Sequence, residues 1–248
     1  MVRTAWTARL PDLAPGVDEV HLWHTRVDRP GEEGGQGGSL LSAGERDRAA
    51  HFRREVDRIR YVAVHAFLRR TLARYLSMSA DAIDFIEGPA GKPALTQMSG
   101  EPDLRFNLSH SGDHAFIAVT IGREVGVDFE VIQPDVDALA LAEEVFSADI
   151  CKALRLLPSE ARVHAFYRTW TRLEAVLKAR GVGFSLDPRS AQIPLEAASP
   201  LSITSVKDGE SEPLVWTVHD FELAADIIGA VAVEGEGCQI LACAWGGA

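Results

Sequence analysis

The stretch VGVDFEV, residues 125 to 131, has the composition of a buried β-strand, yet it carries two acids. Because side chains alternate across a strand, Asp128 and Glu130 are predicted to project from one face, about 7 Å apart. Burial and like charge both oppose ionisation of such a pair unless a cation neutralises it. The stretch therefore permits two interpretations: oxygen ligands of a divalent metal such as Mg²⁺, or an edge strand whose acidic face is in water.

The charge of the chain is unevenly distributed. The 248 residues carry a net charge of −11, which argues against a general nucleic-acid binder. Residues 42–77 nevertheless contain nine arginines and only four acids. This segment is either an anion or phosphate site, because guanidinium groups bind phosphate in bidentate fashion, or a solvated helix face with internal salt bridges.

Hydropathy and cysteine content predict where the protein works. Residues 1–16 lack the continuous apolar segment of a signal peptide, and the apolar stretch IIGAVAV (227–233) is too short to cross a bilayer. Three cysteines, Cys151, Cys238 and Cys243, are an odd number without metal-site spacing. We therefore expect a cytoplasmic protein that does not associate with membranes and has no disulfide framework.

Strand and helix patterns alternate along the chain. Ser42 and Glu45 form a capping-box signature at the start of a helical segment. The predicted elements are, in order, a strand at 19–27, a flexible Gly-rich loop at 28–39, a helical segment from 42 to 76 with a break near 54–57, short strands and turns over 103–132, a helix over 164–184 and strands beyond it. The stretch AFIAVTIG (115–122) has a faint echo in IIGAVAVEG (227–235), which predicts two similar α+β halves that meet near residue 125.

The long C-terminal helix carries an acid and a base on one face. Glu174 and Lys178 lie one turn apart, and an exposed pair that stabilises the helix by a few tenths of a kcal/mol is the common explanation for such spacing. Two details weaken that explanation. Trp170 lies one turn before Glu174, and the chain has only four lysines against 21 arginines.

The stretch NLSHSG (107–112) clusters polar residues between apolar segments. Ser109 and His110 are neighbours, so in a strand they would face opposite ways and could not form a catalytic dyad; the G-x-S-x-G motif of hydrolases is also missing from the sequence. A turn that binds phosphate through a hydroxyl, an imidazolium and backbone N–H groups fits the composition better. A structural turn with a hydrogen-bonded histidine is the alternative.

Four motifs occur in one order: GKP (91–93), FNLSHSG (106–112), GVDFE (126–130) and WTRLEAVLKA (170–179). Together they resemble the Sfp-type 4′-phosphopantetheinyl transferases, whose motifs read approximately G-K-P, N-x-S-H-S, G-(I/V)-D-x-E and W-x-x-K-E-(A/S)-x-x-K. The stretch LLSAGERDRAAHFRREVDRIRY (40–61) also resembles the N-terminal segment of that family. The resemblance covers about residues 40–184.

The resemblance implies a role for each matched residue. Asp128, Glu130 and Glu174 would bind Mg²⁺, or Mn²⁺, shared with the pyrophosphate of coenzyme A. Glu174 and Lys178 would be catalytic: the carboxylate takes the proton of the acceptor serine, directly or through water, and the ammonium stabilises charge on the phosphates. The implied coenzyme A contacts are Ser109 and Lys178 at the phosphates, His110, Arg48 and Arg60 at the 3′-phosphate, and Gly91, Lys92 and Pro93 at the adenine end.

The resemblance also implies an activity and an architecture. The 4′-phosphopantetheine arm of coenzyme A would be transferred to a serine of an apo acyl or peptidyl carrier protein, with release of adenosine 3′,5′-bisphosphate. The fold would be an α+β pseudo-dimer, working as a monomer with its active site between an N-terminal half (1–125) that contacts coenzyme A and a C-terminal half (126–248) that supplies the metal carboxylates and the catalytic helix. A non-catalytic protein that binds coenzyme A or a nucleotide, or a metal-dependent phosphohydrolase, are the alternatives.

Two positions depart from the family pattern. Leu173 stands where the family has lysine before the helix glutamate, which predicts the loss of a cation near the metal and lower activity. Arg172 is adjacent but points about 100° away round the helix, so it is not a guaranteed replacement. Glu45 stands where some members carry a basic residue.

Overall fold

The computed structural model describes residues 6, 14–28, 37–88, 91–96, 103–181, 188–190, 193–196, 198–205 and 214–245. The helices of this part are α1 (Gly37–Leu40), α2 (Ala43–Ala50), α3 (Glu55–Leu76), α4 (Ala138–Val145), α5 (Ala148–Leu156) and α6 (Ser159–Arg180). The strands are β1 (Glu19–Arg26), β2 (Phe85–Glu87), β3 (Pro93–Leu95), β4 (Leu104–Ser111), β5 (His114–Ile121), β6 (Val125–Val131), β7 (Leu201–Ser205), β8 (Leu214–Ala224), β9 (Ile227–Glu234) and β10 (Gln239–Ala244). Of the predicted Gly-rich loop, residues 29–36 lie outside the described part. None of the helices described is long and apolar enough to span a bilayer.

Of the three sheets in the described residues, β2 and β3 form a two-stranded one, and the two four-stranded sheets repeat one topology. In the first sheet β5 lies between β1 and β4, and in the second β9 lies between β6 and β8, with antiparallel pairing throughout. In each half a strand is followed by a 22-residue helix, α3 or α6, and then by the two strands that complete the motif. The strands β5 and β9, whose sequences echo each other, occupy equivalent places. This confirms the predicted α+β fold of two similar halves.

Each sheet gains one further strand, and the two additions differ. β7 pairs with β8, so it extends the second sheet within its own half. β10 instead crosses to the first sheet and pairs in parallel with β1. The C-terminal strand of the chain therefore completes the sheet of the N-terminal half.

Capping and apolar spacing account for the N-terminal helices. The capping box is present at α2: the Glu45 backbone N–H donates to Ser42 Oγ, and the Ser42 backbone N–H donates to Glu45 Oε2. The predicted break falls at residues 51–54, a little before the predicted 54–57. α3 then buries Phe67 and Leu72 completely in the core of the first half.

Helix α6 lies directly on the strand of the opening motif. It packs against β6 and β9, and its side chains Phe166, Leu173 and Leu177 are buried in the core of the C-terminal half. Gly126 is the point of closest approach, because a Cβ atom there would lie 2.1 Å from the carbonyl oxygen of Ala175. The GVDFE motif therefore begins with the glycine that brings its acids close to the helix.

The two halves meet where the edge strands β4 and β6 lie side by side. The Asn107 side chain bridges them, because the Val127 backbone N–H donates to Asn107 Oδ1 at 2.8 Å. One sequence prediction is wrong at this junction: Ser109 and His110 lie within strand β4, which pairs with β5 along its whole length, and not in a turn.

Candidate active site at the junction of the two halves

Three acids and a lysine come together where β6 meets α6. Asp128 is only 5% exposed, and Lys178 donates from Nζ to its Oδ1 at 2.6 Å. β6 is an edge strand, as one interpretation of the opening stretch required, but the acidic face is not in water at Asp128. The charge of Glu174, one turn before Lys178 on α6, interacts with both Asp128 and Glu130.

Strand β4 supplies two serines to the same cluster. Ser109 Oγ donates to Asp128 Oδ1 at 3.2 Å and accepts from Lys178 Nζ at 3.1 Å. Ser111 Oγ donates to Glu130 Oε2 at 2.9 Å. The implied phosphate ligands Ser109 and Lys178 therefore contact each other and Asp128.

The pKa of each of the three carboxyl groups is raised above its ordinary value. Burial, followed by repulsion from Asp128, raises the pKa of Glu174 to about 7, and the Lys178 ammonium reduces this effect. Burial also raises the pKa of Asp128, although Lys178 and Ser109 oppose it. The pKa of Glu130 is raised by burial and by Asp128, while hydrogen bonds from Ser111 and Trp170 act in the opposite direction. A further cation beside these groups would stabilise their charged forms.

The donor set fits a hard divalent cation, although no closed cage is preformed. Among the residues that the structure describes, no three His, Cys, Asp or Glu side chains converge as a complete metal site. Asp128 Oδ2 and Glu174 Oε1 are nevertheless buried, and within the same part of the chain neither has a hydrogen-bond partner. Buried carboxylate oxygens without partners are costly, and Mg²⁺ usually takes only one or two protein carboxylates together with phosphate and water.

Two cavities lie between the GKP motif and Ser111, which is hydrogen-bonded to Glu130 of the cluster. A cavity of about 670 Å³ is lined by Arg48, Gly91, Pro93 and His110. A second cavity, of about 490 Å³, is also lined by Arg48 and His110 and extends to Ser111, whose hydroxyl binds Glu130. Desolvation, followed by repulsion from Lys178 and His65, lowers the pKa of His110, and a bound phosphate would favour its protonated form.

Two of the implied ligands are engaged by the protein itself. Lys92 Nζ donates to Glu124 Oε2 at 2.8 Å and to the backbone oxygens of Val125 and Ala179, so the ammonium ties the GKP loop to β6 and α6. Arg60 lines the second cavity and pairs with Asp113 in the β4–β5 turn. Arg60 therefore lines the second cavity, and the Lys92 ammonium is engaged by groups of the protein.

The departure at Leu173 is explained by packing. Leu173 is 1% exposed and lies in the core of the C-terminal half. Arg172 is fully buried and forms a two-contact ion pair with Asp220, Nε to Oδ1 at 2.7 Å and Nη2 to Oδ2 at 2.5 Å. Arg172 therefore stabilises the fold and is not a substitute cation for the acid cluster.

Several polar residues of the site received no role from the sequence. Asn107 and Ser111 belong to the recognised motif, and the alternation of 107, 109 and 111 would have assigned them to one face if the stretch had been recognised as a strand. His65 and Arg69 hold Glu45 in the wall of the larger cavity. No sequence signal connects these two residues with Glu45, because the contacts join different helices.

Comparisons with known proteins agree with this arrangement. A family model described as the 4′-phosphopantetheinyl transferase superfamily matches residues 124–232. A second, described as 4′-phosphopantetheinyl transferase, N-terminal, matches residues 35–122. The boundary between them falls next to the start of β6.

Named relatives show the same family, and one of them is matched over nearly its whole length. The chain is 33% identical over 239 residues to 4′-phosphopantetheinyl transferase HetI of Nostoc sp., covering 96% of this chain and 98% of that protein. It is 35% identical over 169 residues to the putative 4′-phosphopantetheinyl transferase slr0495 of Synechocystis sp., covering 68% of each. It is also 35% identical over 146 residues to psf-1 of Bacillus pumilus, covering 59% of this chain and 60% of that protein. The chain belongs to the 4′-phosphopantetheinyl transferase superfamily, a class of transferases, which confirms the family predicted from its motifs.

Proposed function

We propose that this protein transfers the 4′-phosphopantetheine arm of coenzyme A to a serine of an apo acyl or peptidyl carrier protein, releasing adenosine 3′,5′-bisphosphate. The observation that carries the proposal is the path from the GKP loop past Arg48 and His110 to Ser111 and the acid cluster. The two neighbouring cavities would supply contacts for an adenine end and a phosphate, next to the acids that would hold the metal. We propose that this carrier protein serves a pathway of secondary metabolism.

In the proposed complex, basic groups of the N-terminal half bind the nucleotide. Gly91 and Pro93 line the adenine end, and Arg48, Arg60 and His110 lie against the 3′-phosphate. Arg60 would keep its pairing with Asp113, which fixes the direction of its guanidinium. Lys92 would act on the ligand only through the loop that its ammonium anchors.

The acid cluster would hold Mg²⁺, or Mn²⁺, through Asp128, Glu130 and Glu174. When bound, the metal would neutralise the pyrophosphate of coenzyme A and the charge that develops on its oxygens. Lys178, which in the ligand-free protein rests on Asp128, would donate to the same phosphates. Glu174 would accept the proton of the carrier serine hydroxyl. The serine oxygen would bond to the phosphorus next to pantetheine, and the bond from that phosphorus to adenosine 3′,5′-bisphosphate would break.

The remaining parts of the proposal concern the state of the protein. Because both halves belong to one chain and the cluster draws on both, we propose that a monomer is active. All three cysteines are free thiols, which supports a reducing, cytoplasmic setting.

The test is an incubation of the purified protein with coenzyme A, Mg²⁺ and a panel of apo carrier proteins. Intact mass of each carrier and released adenosine 3′,5′-bisphosphate are measured, with and without EDTA. We expect one phosphopantetheine arm per carrier, one nucleotide per arm, and no transfer in EDTA. Binding of coenzyme A without any mass gain would instead indicate a binding protein, and nucleotide release without a carrier would indicate a phosphohydrolase.

A further inference from the structure

The polar side chains on one face of strand β4 form hydrogen bonds with strand β6. Asn107, Ser109 and Ser111 occupy alternate positions, and all three side chains reach across the junction between the halves. Asn107 accepts from the Val127 backbone, Ser109 donates to Asp128, and Ser111 donates to Glu130. The two serines of β4 thus each bind one acid of β6, while His110 between them lines the two cavities.

We propose that Ser111 is a positioning residue that orients the Glu130 carboxylate for metal binding, an inference that rests on the metal site of the proposed function. Ser111 Oγ fixes Glu130 Oε2 at 2.9 Å, which restricts rotation of the carboxylate about its last bond. Because Ser111 belongs to β4 and Glu130 to β6, this hydrogen bond ties the carboxylate to the N-terminal half.

Ser111 can be replaced without removing a contact of Asp128 or Lys178, whereas Ser109 cannot. Ser109 binds both Asp128 and Lys178, so its replacement would disturb the lysine that contacts the phosphates. Ser111 contacts Glu130 at the end of β4, is only partly buried, and lines the second cavity. Its replacement by alanine removes one hydroxyl and leaves Glu130 Oε2 without that donor.

Hydrogen-bond donors to metal ligands commonly affect affinity by about 10- to 100-fold, because they fix the ligand before the metal arrives. A hydroxyl donor at this distance can be restored by threonine and not by alanine. The conservative substitution therefore separates a positioning role from a requirement for a small side chain.

The experiment titrates Mn²⁺ by calorimetry into the full chain saturated with coenzyme A, without carrier protein. The variants are Ser111→Ala, Ser111→Thr and, as a control, Ser159→Ala, an exposed serine at the start of α6. Coenzyme A affinity in EDTA and the thermal unfolding midpoint are measured for each. We expect Ser111→Ala to weaken Mn²⁺ binding by about 10-fold or more, and Ser111→Thr to restore it to within about threefold. Coenzyme A affinity in EDTA should change much less than Mn²⁺ affinity, the unfolding midpoint should not change, and Ser159→Ala should match the wild type.

Ser111→Ala that binds Mn²⁺ within about twofold of the wild type would overturn the inference, as would equal losses in the alanine and threonine variants. A wild-type protein that binds no Mn²⁺ would also overturn it. Wild-type protein that binds Mn²⁺ but modifies no carrier would contradict the proposed function. The positioning role would still be supported in that case if Ser111→Ala weakened Mn²⁺ binding and Ser111→Thr did not. Transfer by the wild type together with unchanged Mn²⁺ affinity in Ser111→Ala would refute the inference alone.

Discussion

At the scale of single residues, Glu45 shows how a departure from the family pattern is accommodated. An acid in the wall of a phosphate-binding cleft would repel its ligand, but Glu45 is neutralised locally. Arg69 Nε donates to Oε2 at 2.8 Å, and His65 lies 3.0 Å from Oε1. Glu45 also completes the capping box of α2 with Ser42. The side chain is therefore a structural link between α2 and α3.

This link makes a pH-dependent contribution to stability. Burial raises the pKa of Glu45, but hydrogen bonds from His65, Ser42 and Arg69 outweigh it and lower the pKa to about 2. Because the folded-state pKa lies below the unfolded value of about 4.3, the contribution is complete above that value and is lost as the pH falls towards 2. Glu45→Gln should lower the free energy of unfolding by about 1 to 3 kcal/mol at pH 7, and by less than half as much at pH 3.

Urea unfolding of both proteins at pH 7, 5 and 3 measures this difference. A difference that is the same at pH 3 as at pH 7 would contradict the assigned contacts of Glu45.

Leu173 makes the second prediction at the residue scale. A lysine there would have to enter the core of the C-terminal half, since the side chain is 1% exposed. Leu173→Lys is expected to lower the free energy of unfolding by about 3 kcal/mol or more and to leave transfer no faster. Leu173→Met, which keeps the volume and the apolar character, should cost less than about 1.5 kcal/mol. Thermal unfolding and transfer rates check both variants; a stable and faster lysine variant would contradict the packing assigned to Leu173.

At the scale of elements, the contact between β6 and α6 sets the geometry of the acid cluster. A Cβ atom at Gly126 would lie 2.1 Å from the Ala175 carbonyl oxygen and 2.4 Å from the Ala179 backbone nitrogen. Because both are backbone atoms, the helix itself would have to move. Asp128 and Glu174 would then separate together with the two elements that carry them.

Gly126→Ala is therefore expected to lower the free energy of unfolding by about 3 kcal/mol or more and to weaken metal binding in whatever fraction folds. Gly38→Ala is the matched control, because an added Cβ in α1 would meet no atom within 4 Å. Urea unfolding and Mn²⁺ titration provide the measurements. Gly126→Ala with wild-type stability would show that the helix and strand are less closely packed than the structure describes.

The elements also show what sequence can and cannot predict. The helices and the strand with two acids follow from apolar spacing and capping, which are local signals. The sequence predicts a turn at residues 107–112 because Asn, Ser and Gly favour turns. The observed strand β4 is determined by eight residue pairs with β5. The partners of Arg60, Lys92 and Ser109 depend on that pairing and on the approach of α6, and neither is encoded near those residues.

At the scale of the whole molecule, the internal repeat explains why the acid pair occurs only once among the residues described. When β5 and β9 are aligned on their Ala-Val pairs, their partner strands β1 and β6 are aligned as well. Leu22 of β1 then corresponds to Asp128 of β6, and His24 corresponds to Glu130. The edge of β1 is covered by β10, whereas the edge of β6 is left to meet β4. Trp6 packs its ring against His24 at 5.7 Å, on the side where the repeat would otherwise place a second cluster. The C-terminal half therefore supplies the acids, and strand β4 of the N-terminal half supplies hydroxyl groups that bind them.

The most direct test of the whole account compares the wild type with Glu174→Gln, which keeps the shape of the side chain and removes its charge. Coenzyme A binding is measured by calorimetry in EDTA, and carrier modification by intact mass in Mg²⁺, on the same preparations. We expect the wild type and Glu174→Gln to bind coenzyme A equally well in EDTA. The wild type should modify the carrier completely, and the transfer rate of the variant should be lower by about 100-fold or more. A variant that modifies the carrier at the wild-type rate would contradict the assignment of the junction between β4, β6 and α6 as the active site.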